Sequence, residues 1–84
     1  MNSLSLQPLV HIIDDDQAIR DSLAWLFKTR NVRAVLWESG EAFLQSWTPE
    51  LEGCLLLDVR MHGLSGLEVF DLLRKKGSTQ PVIF

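Results

Sequence analysis

The sequence predicts an α/β fold, a doubly wound parallel sheet with the element order β-α-β-α-β-α-β. Two observations carry this. Four short runs rich in apolar residues, the first and third of them ending in aspartates, have the length and composition of buried strands. Three stretches between them show helical spacing, N-cap signals or both. Strands that alternate with helices are joined by crossovers, which make the strands parallel and lay the helices on the sheet faces.

The elements follow in order. Met1 to Pro8 is read as a loose arm. Leu9-Val10-His11-Ile12-Ile13 is the first strand, stopped by Asp14-Asp15-Asp16. His11 is expected to pack in the core or on a sheet face rather than to act as a ligand. From Gln17 to Arg30, the residues Ile19, Leu23, Leu26 and Phe27 recur at helical spacing, with Asp15 or Asp16 as the N-cap. Trp25 falls on the opposite side of that helix, beside Asp21 and Lys28, and is expected outside the core. Val32 to Trp37 is the second strand. Ser39 caps a short helix from Gly40 to Trp47, in which Phe43 and Trp47 share a face. Thr48-Pro49 ends it, because the residue before proline avoids the α region. Cys54-Leu55-Leu56-Leu57 is the third strand and runs into Asp58. Ser65 followed by Glu68 forms a capping box that opens a helix to about Lys76, and Gly77 supplies its stop. Pro81-Val82-Ile83-Phe84 is the fourth strand.

Composition narrows the function classes. With 84 residues the chain makes one small domain and a thin core. At 46% hydrophobic and 23% charged it has the make-up of a soluble globular chain. Eleven acidic against eight basic residues leave a net charge of −3, no electrostatic footprint for nucleic acid or an anionic membrane. Contact with DNA would need another module. The lone Cys54 has no internal disulfide partner and reads as a small buried hydrophobe rather than a reactive thiol. No basic-then-apolar leader and no bilayer-length apolar run are visible, so a cytoplasmic location is expected.

Two strands end in carboxylates, the first in Asp14-Asp15 and the third in Asp58. Open α/β sheets bind ligands beyond the carboxyl ends of their strands, where strand order reverses. If the first and third strands are neighbours, Asp14, Asp15 and Asp58 converge there. Two such anions about 5 Å apart repel by roughly 3 kcal/mol at an effective dielectric near 20, so the cluster calls for a proton or a hard cation. An all-oxygen donor set of this kind suits Mg²⁺. The plainer reading of Asp14 to Asp16 alone is capping and a favourable helix dipole. Asp58, at the end of an apolar strand, is not explained that way.

As a set, these residues resemble a known family. The stretches Ile12-Ile13-Asp14-Asp15-Asp16, Leu55-Leu56-Leu57-Asp58-Val59-Arg60-Met61 and Ser65-Gly66-Leu67-Glu68 look like the receiver domain of bacterial two-component response regulators. Glu38-Ser39-Gly40-Glu41-Ala42-Phe43-Leu44 is similar to the FixJ branch. The resemblance implies a flavodoxin-like sheet, with residues 9–84 a partial receiver domain behind the arm of residues 1–8. It implies Asp58 as phosphoacceptor and Mg²⁺ as cofactor. Asp15 is then the expected direct ligand and Asp14 acts largely through water. Arg60 supplies a backbone carbonyl and Gly66 opens the third helix. The phosphoryl donor would be a sensor histidine kinase, and control of transcription would run through a DNA-binding domain absent from this chain.

Two departures from the family pattern are visible. His62 stands where the family commonly has proline, and is read as a solvated loop side chain, with tuning of the local field as the alternative. The chain reaches Phe84 before the family's switch Ser/Thr and Lys, and is expected to be truncated after the fourth strand. The apolar edge at Val82-Ile83-Phe84 then predicts pairing with a second copy, a possible homodimer. A degenerate interaction domain that no longer takes phosphate remains an alternative. So does a phosphatase of the haloacid-dehalogenase type, whose Asp-x-Asp is contained in Asp14-Asp15-Asp16. That class wants Thr or Val where Ala18 stands, and it leaves Asp58 unexplained.

Overall fold

The computed structural model describes residues 7–84. Along the chain run β1 (Leu9–Ile13), α1 (Gln17–Thr29), β2 (Arg33–Trp37), α2 (Gly40–Ser46), β3 (Cys54–Leu57), α3 (Gly66–Lys75) and β4 (Val82–Ile83). All four strands pair in parallel in one sheet of order β2-β1-β3-β4. This is the doubly wound arrangement expected, with shifts of a residue or two at the ends of elements. The arm lies outside the described residues up to residue 6. Where it meets the sheet, the Pro8 carbonyl accepts a hydrogen bond from the Arg33 N–H at 2.9 Å.

The helices begin where side-chain oxygens replace missing backbone partners. Of the two candidate caps on α1, Asp16 takes the role, accepting from the N–H groups of Ala18 and Ile19 at 2.9 and 3.3 Å. That leaves Asp15 for another partner. Ser39 Oγ accepts from Ala42 at 3.0 Å at the start of α2. The box on α3 is complete: Ser65 Oγ accepts from the Glu68 N–H at 3.2 Å, and Glu68 Oε1 accepts from the Ser65 N–H at 3.0 Å.

Strand register sorts the side chains onto two unequal faces. His11, Ile13, Leu55, Leu57, Trp37 and Val82 lie on one face, because paired residues of parallel strands share a side. Phe43 of α2 with Val69 and Leu73 of α3 closes over them. Together with Ile13, Leu55 and Leu57 they form the core, each at most 1% exposed. His11 belongs to this layer, as expected. Its Nδ1 accepts from the Trp37 indole N–H at 3.1 Å, and its Nε2 lies 2.7 Å from the Glu52 carbonyl. An indole only donates and a carbonyl only accepts, so the ring proton sits on Nε2.

The other face carries Val10, Ile12, Leu36, Leu56 and Ile83, and α1 lies over its β1 and β2 side. Val10 and Ile12 are buried, whereas Leu36 and Ile83 are exposed. Here the expectation for α1 needs correcting. The stripe read as core-facing is only partly covered, with Ile19 and Leu26 45% and 47% exposed, and α1 holds no buried residue. The reason is the two-sided winding: α2 and α3 pack together on the opposite face and leave α1 without a neighbouring helix. Trp25, 70% exposed, does lie outside the core. Cys54 is paired with Val10 on this open side and is half-buried, not buried as expected.

Candidate functional site

Ile13 pairs with Leu57, so the next residues, Asp14 and Asp58, leave neighbouring strands side by side. The ladder continues through them: Asp14 N–H donates to the Trp37 carbonyl at 3.1 Å, and Asp58 N–H to the Ile13 carbonyl at 3.0 Å. Strand order reverses between β1 and β3, which makes this the switch point of the sheet. Asp14, Asp15 and Asp58 each bring a carboxylate oxygen to within 4.8 Å of the others. The adjacency that the sequence left open is present.

The three carboxylates differ in surroundings. Asp14 is buried, and its Oδ1 accepts from the Asp16 N–H at 2.9 Å. Burial pushes its carboxyl above the ordinary value; the Asp16 N–H opposes that, and the charges of Asp58, Asp15 and Asp16 add to it. The Arg20 guanidinium donates to the Asp14 backbone carbonyl at 2.7 Å rather than to its carboxylate. Asp15 is held the other way. Its Oδ2 accepts from the His62 backbone N–H at 2.8 Å and meets the His62 ring Nδ1 at 2.8 Å. Those bonds, the backbone one first, keep its carboxyl below the ordinary value. Asp58 is half-exposed, and its Oδ1 accepts from the Arg60 N–H at 3.3 Å.

The loop after β3 completes the site. Arg60 is exposed and lines, with Asp15, Met61, His62 and Ser65, a shallow cavity of about 500 Å³. Gly66 opens α3 directly against the acidic residue: a Cβ on it would stand 2.2 Å from the Asp58 carbonyl oxygen. His62 corrects the sequence reading. Its ring is exposed, as a solvated loop residue would be, yet it is bonded to Asp15. Its departure from the family proline was the only signal in the sequence.

Among the described residues no lysine or arginine forms an ion pair with Asp14, Asp15 or Asp58. Three carboxylates at this spacing, one of them buried, fit a hard divalent cation on chemical grounds, since oxygen donors suit Mg²⁺ and the cation removes the mutual repulsion. Among the described residues no helix is long and apolar enough to cross a membrane.

Comparison with known proteins agrees with this geometry. A family model described as the response regulator receiver domain matches residues 10–84. The C4-dicarboxylate transport transcriptional regulatory protein DctR of Rhodobacter capsulatus is 46% identical over 77 residues, 89% of this chain and 39% of that protein. The transcriptional regulatory protein FixJ of Azorhizobium caulinodans is 43% identical over 74 residues, 88% of this chain and 35% of that protein. The chain thus spans little more than a third of the length of these curated relatives. Among solved structures, the response regulator TrrA of Thermotoga maritima, in complex with Mg(2+)-BeF, superposes with a TM-score of 0.84 at 28% identity. That match covers 93% of this chain and 68% of that one.

Proposed function

The chain belongs to the response regulator receiver domain family, and from that premise we infer that Asp58 accepts a phosphoryl group from a sensor histidine kinase. Asp14, Asp15, Asp58 and the backbone carbonyl of Arg60 would hold Mg²⁺. The observation that carries the reading is the convergence of three carboxylates at the ends of adjacent β1 and β3. The Mg(2+)-BeF complex of TrrA, a protein of the same fold, supports it. Residues 9–84 would make up the receiver portion.

The chemistry asks little of the protein beyond placement. A carboxylate oxygen of Asp58 forms a bond to phosphorus as the bond from phosphorus to the leaving group breaks, and an acyl phosphate results. Bound Mg²⁺ would supply neutralisation of the charge shared by the carboxylates and the phosphoryl oxygens. Of the three acidic residues Asp58 is the candidate nucleophile: Asp14 is buried, and Asp15 is committed to His62. Regulation of transcription, the role named for DctR and FixJ, would reach DNA through a domain outside these 84 residues, since the net charge of −3 gives no footprint for nucleic acid.

The test treats the chain with a small-molecule phosphodonor and Mg²⁺ and locates the added phosphate by mass spectrometry. Label on Asp58, lost in Asp58→Asn, is expected. Label on Asp14 or Asp16 would favour the phosphatase alternative. No label, with no effect of Mg²⁺ on melting, would mark a degenerate interaction domain.

A further inference from the structure

His62 sits in the loop between β3 and α3, with its ring fully exposed to solvent. An exposed ring gains little by holding one position, yet this one is fixed. Its Nδ1 lies 2.8 Å from Oδ2 of Asp15, and its backbone N–H donates to the same oxygen at 2.8 Å. An ionised carboxylate only accepts, so the ring donates from Nδ1–H. Two donors from one residue saturate Oδ2 and fix the plane of the carboxylate. Oδ1 is left as the oxygen open to a cation. The same bonds tie the loop after β1 to the loop after β3, the two loops that carry the acidic cluster.

We propose that His62 is a positioning residue that sets the divalent-cation affinity of the cluster by holding Asp15 in its ligating orientation. This rests on the assignment of Asp14, Asp15 and Asp58 as a cation site. Carboxylates that bind metals are held by hydrogen bonds of their own, and loss of such a partner typically weakens affinity by about 10- to 100-fold. The His62 backbone bond survives loss of the ring, so removal of the ring falls at the lower end, about tenfold. A donor on the carboxylate also draws off some of its charge. The two effects oppose each other, and a Mg²⁺ titration reads their net.

The experiment titrates Mg²⁺ into the 84-residue chain by calorimetry at one fixed pH for all variants. Parent, His62→Ala, His62→Asn and Asp58→Asn are compared, and each is also melted without Mg²⁺. His62→Ala is expected to bind about tenfold more weakly while melting like the parent without the ion. His62→Asn, whose amide N–H falls near the position of Nδ1–H, is expected to recover most of the affinity. His62→Ala binding like the parent, or weakened only in step with lost melting temperature, or unrescued by His62→Asn, overturns the proposal. A parent that binds Mg²⁺ no better than Asp58→Asn removes the cation site itself, and the role of His62 with it.

Discussion

Replacing Gly66 by alanine tests how the site is built. The added Cβ would stand 2.2 Å from the Asp58 carbonyl oxygen, 2.9 Å from its carbonyl carbon and 3.0 Å from Val59 Cα. All three are backbone atoms, so no side-chain rotation relieves the contact. Real Cβ atoms essentially never come within 3.0 Å of another heavy atom, so α3 and the loop after β3 must part by close to 1 Å. Overpacking of this kind costs about 1–3 kcal/mol. The better helix propensity of alanine returns up to about 1 kcal/mol, so from the middle of that range, about 2 kcal/mol, a net loss of about 1–2 kcal/mol is left. For a domain of this size each 1 kcal/mol lowers Tm by roughly 4–8 °C. The displaced loop also carries Asp58, so Mg²⁺ affinity falls as well. Gly77→Ala is the control. It meets nothing within 4 Å, but its φ of +91° strains a side chain, so it should lower Tm and leave Mg²⁺ binding unchanged. Melting curves with calorimetric titrations decide the matter. If Gly66→Ala melts and binds Mg²⁺ like the parent, the close approach of α3 to Asp58 does not govern the site.

Further outcomes follow from the same structure. His11→Leu leaves the Trp37 indole N–H and the Glu52 carbonyl without partners, at about 1–3 kcal/mol for each group that stays buried, and denaturant unfolding should show the loss. Its absence would mean that water reaches both groups. Hydrogen bonds from Ser65 hold the Glu68 carboxyl below the ordinary glutamate value of 4.5. A depressed folded pKa gives stability that is present above that value and is lost as pH falls through the folded pKa. The melting difference between the parent and Glu68→Gln should therefore be largest near neutrality and shrink in acid; a constant difference would contradict the linkage. In single-tryptophan variants, acrylamide should quench Trp25 most strongly, since it is 70% exposed while Trp37 and Trp47 pack against the core. Ile83 and Phe84, 58% and 51% exposed at the β4 edge, predict concentration-dependent sedimentation, and a constant monomer over a hundredfold dilution (about 2.7 kcal/mol in a binding equilibrium) argues against pairing there.

The sheet was legible because its strands are short, largely apolar runs, the first and third stopped by Asp14 and Asp58, and the helices because Ser39, Asp16 and the Ser65–Glu68 pair are local signals. Asp58 stood out for the same kind of reason, as a charge at the end of Cys54-Leu55-Leu56-Leu57. Less was legible where the outcome depends on a distant partner. The bonds from His62 to Asp15 join residues 47 positions apart, and no local pattern records them. The spacing of Ile19, Leu23 and Leu26 correctly marks the more apolar side of α1. It says nothing of whether another element covers that side, and the exposure of Ile19 and Leu26 turns on this.

The unequal covering of the two sheet faces means that the halves of the acidic cluster lead into helices buried to different extents. Asp58 is braced by α3, which sinks Val69 and Leu73 into the core, while Asp14 and Asp15 lead into α1, which sinks nothing. A cation gripping both halves would link the well-buried helix to the poorly buried one, and part of its binding free energy would go into seating α1. Linkage makes that relation reciprocal: a partner surface laid against Ile19 and Leu26 would steady α1 and tighten the grip on the cation, with no contact to any of the three carboxylates.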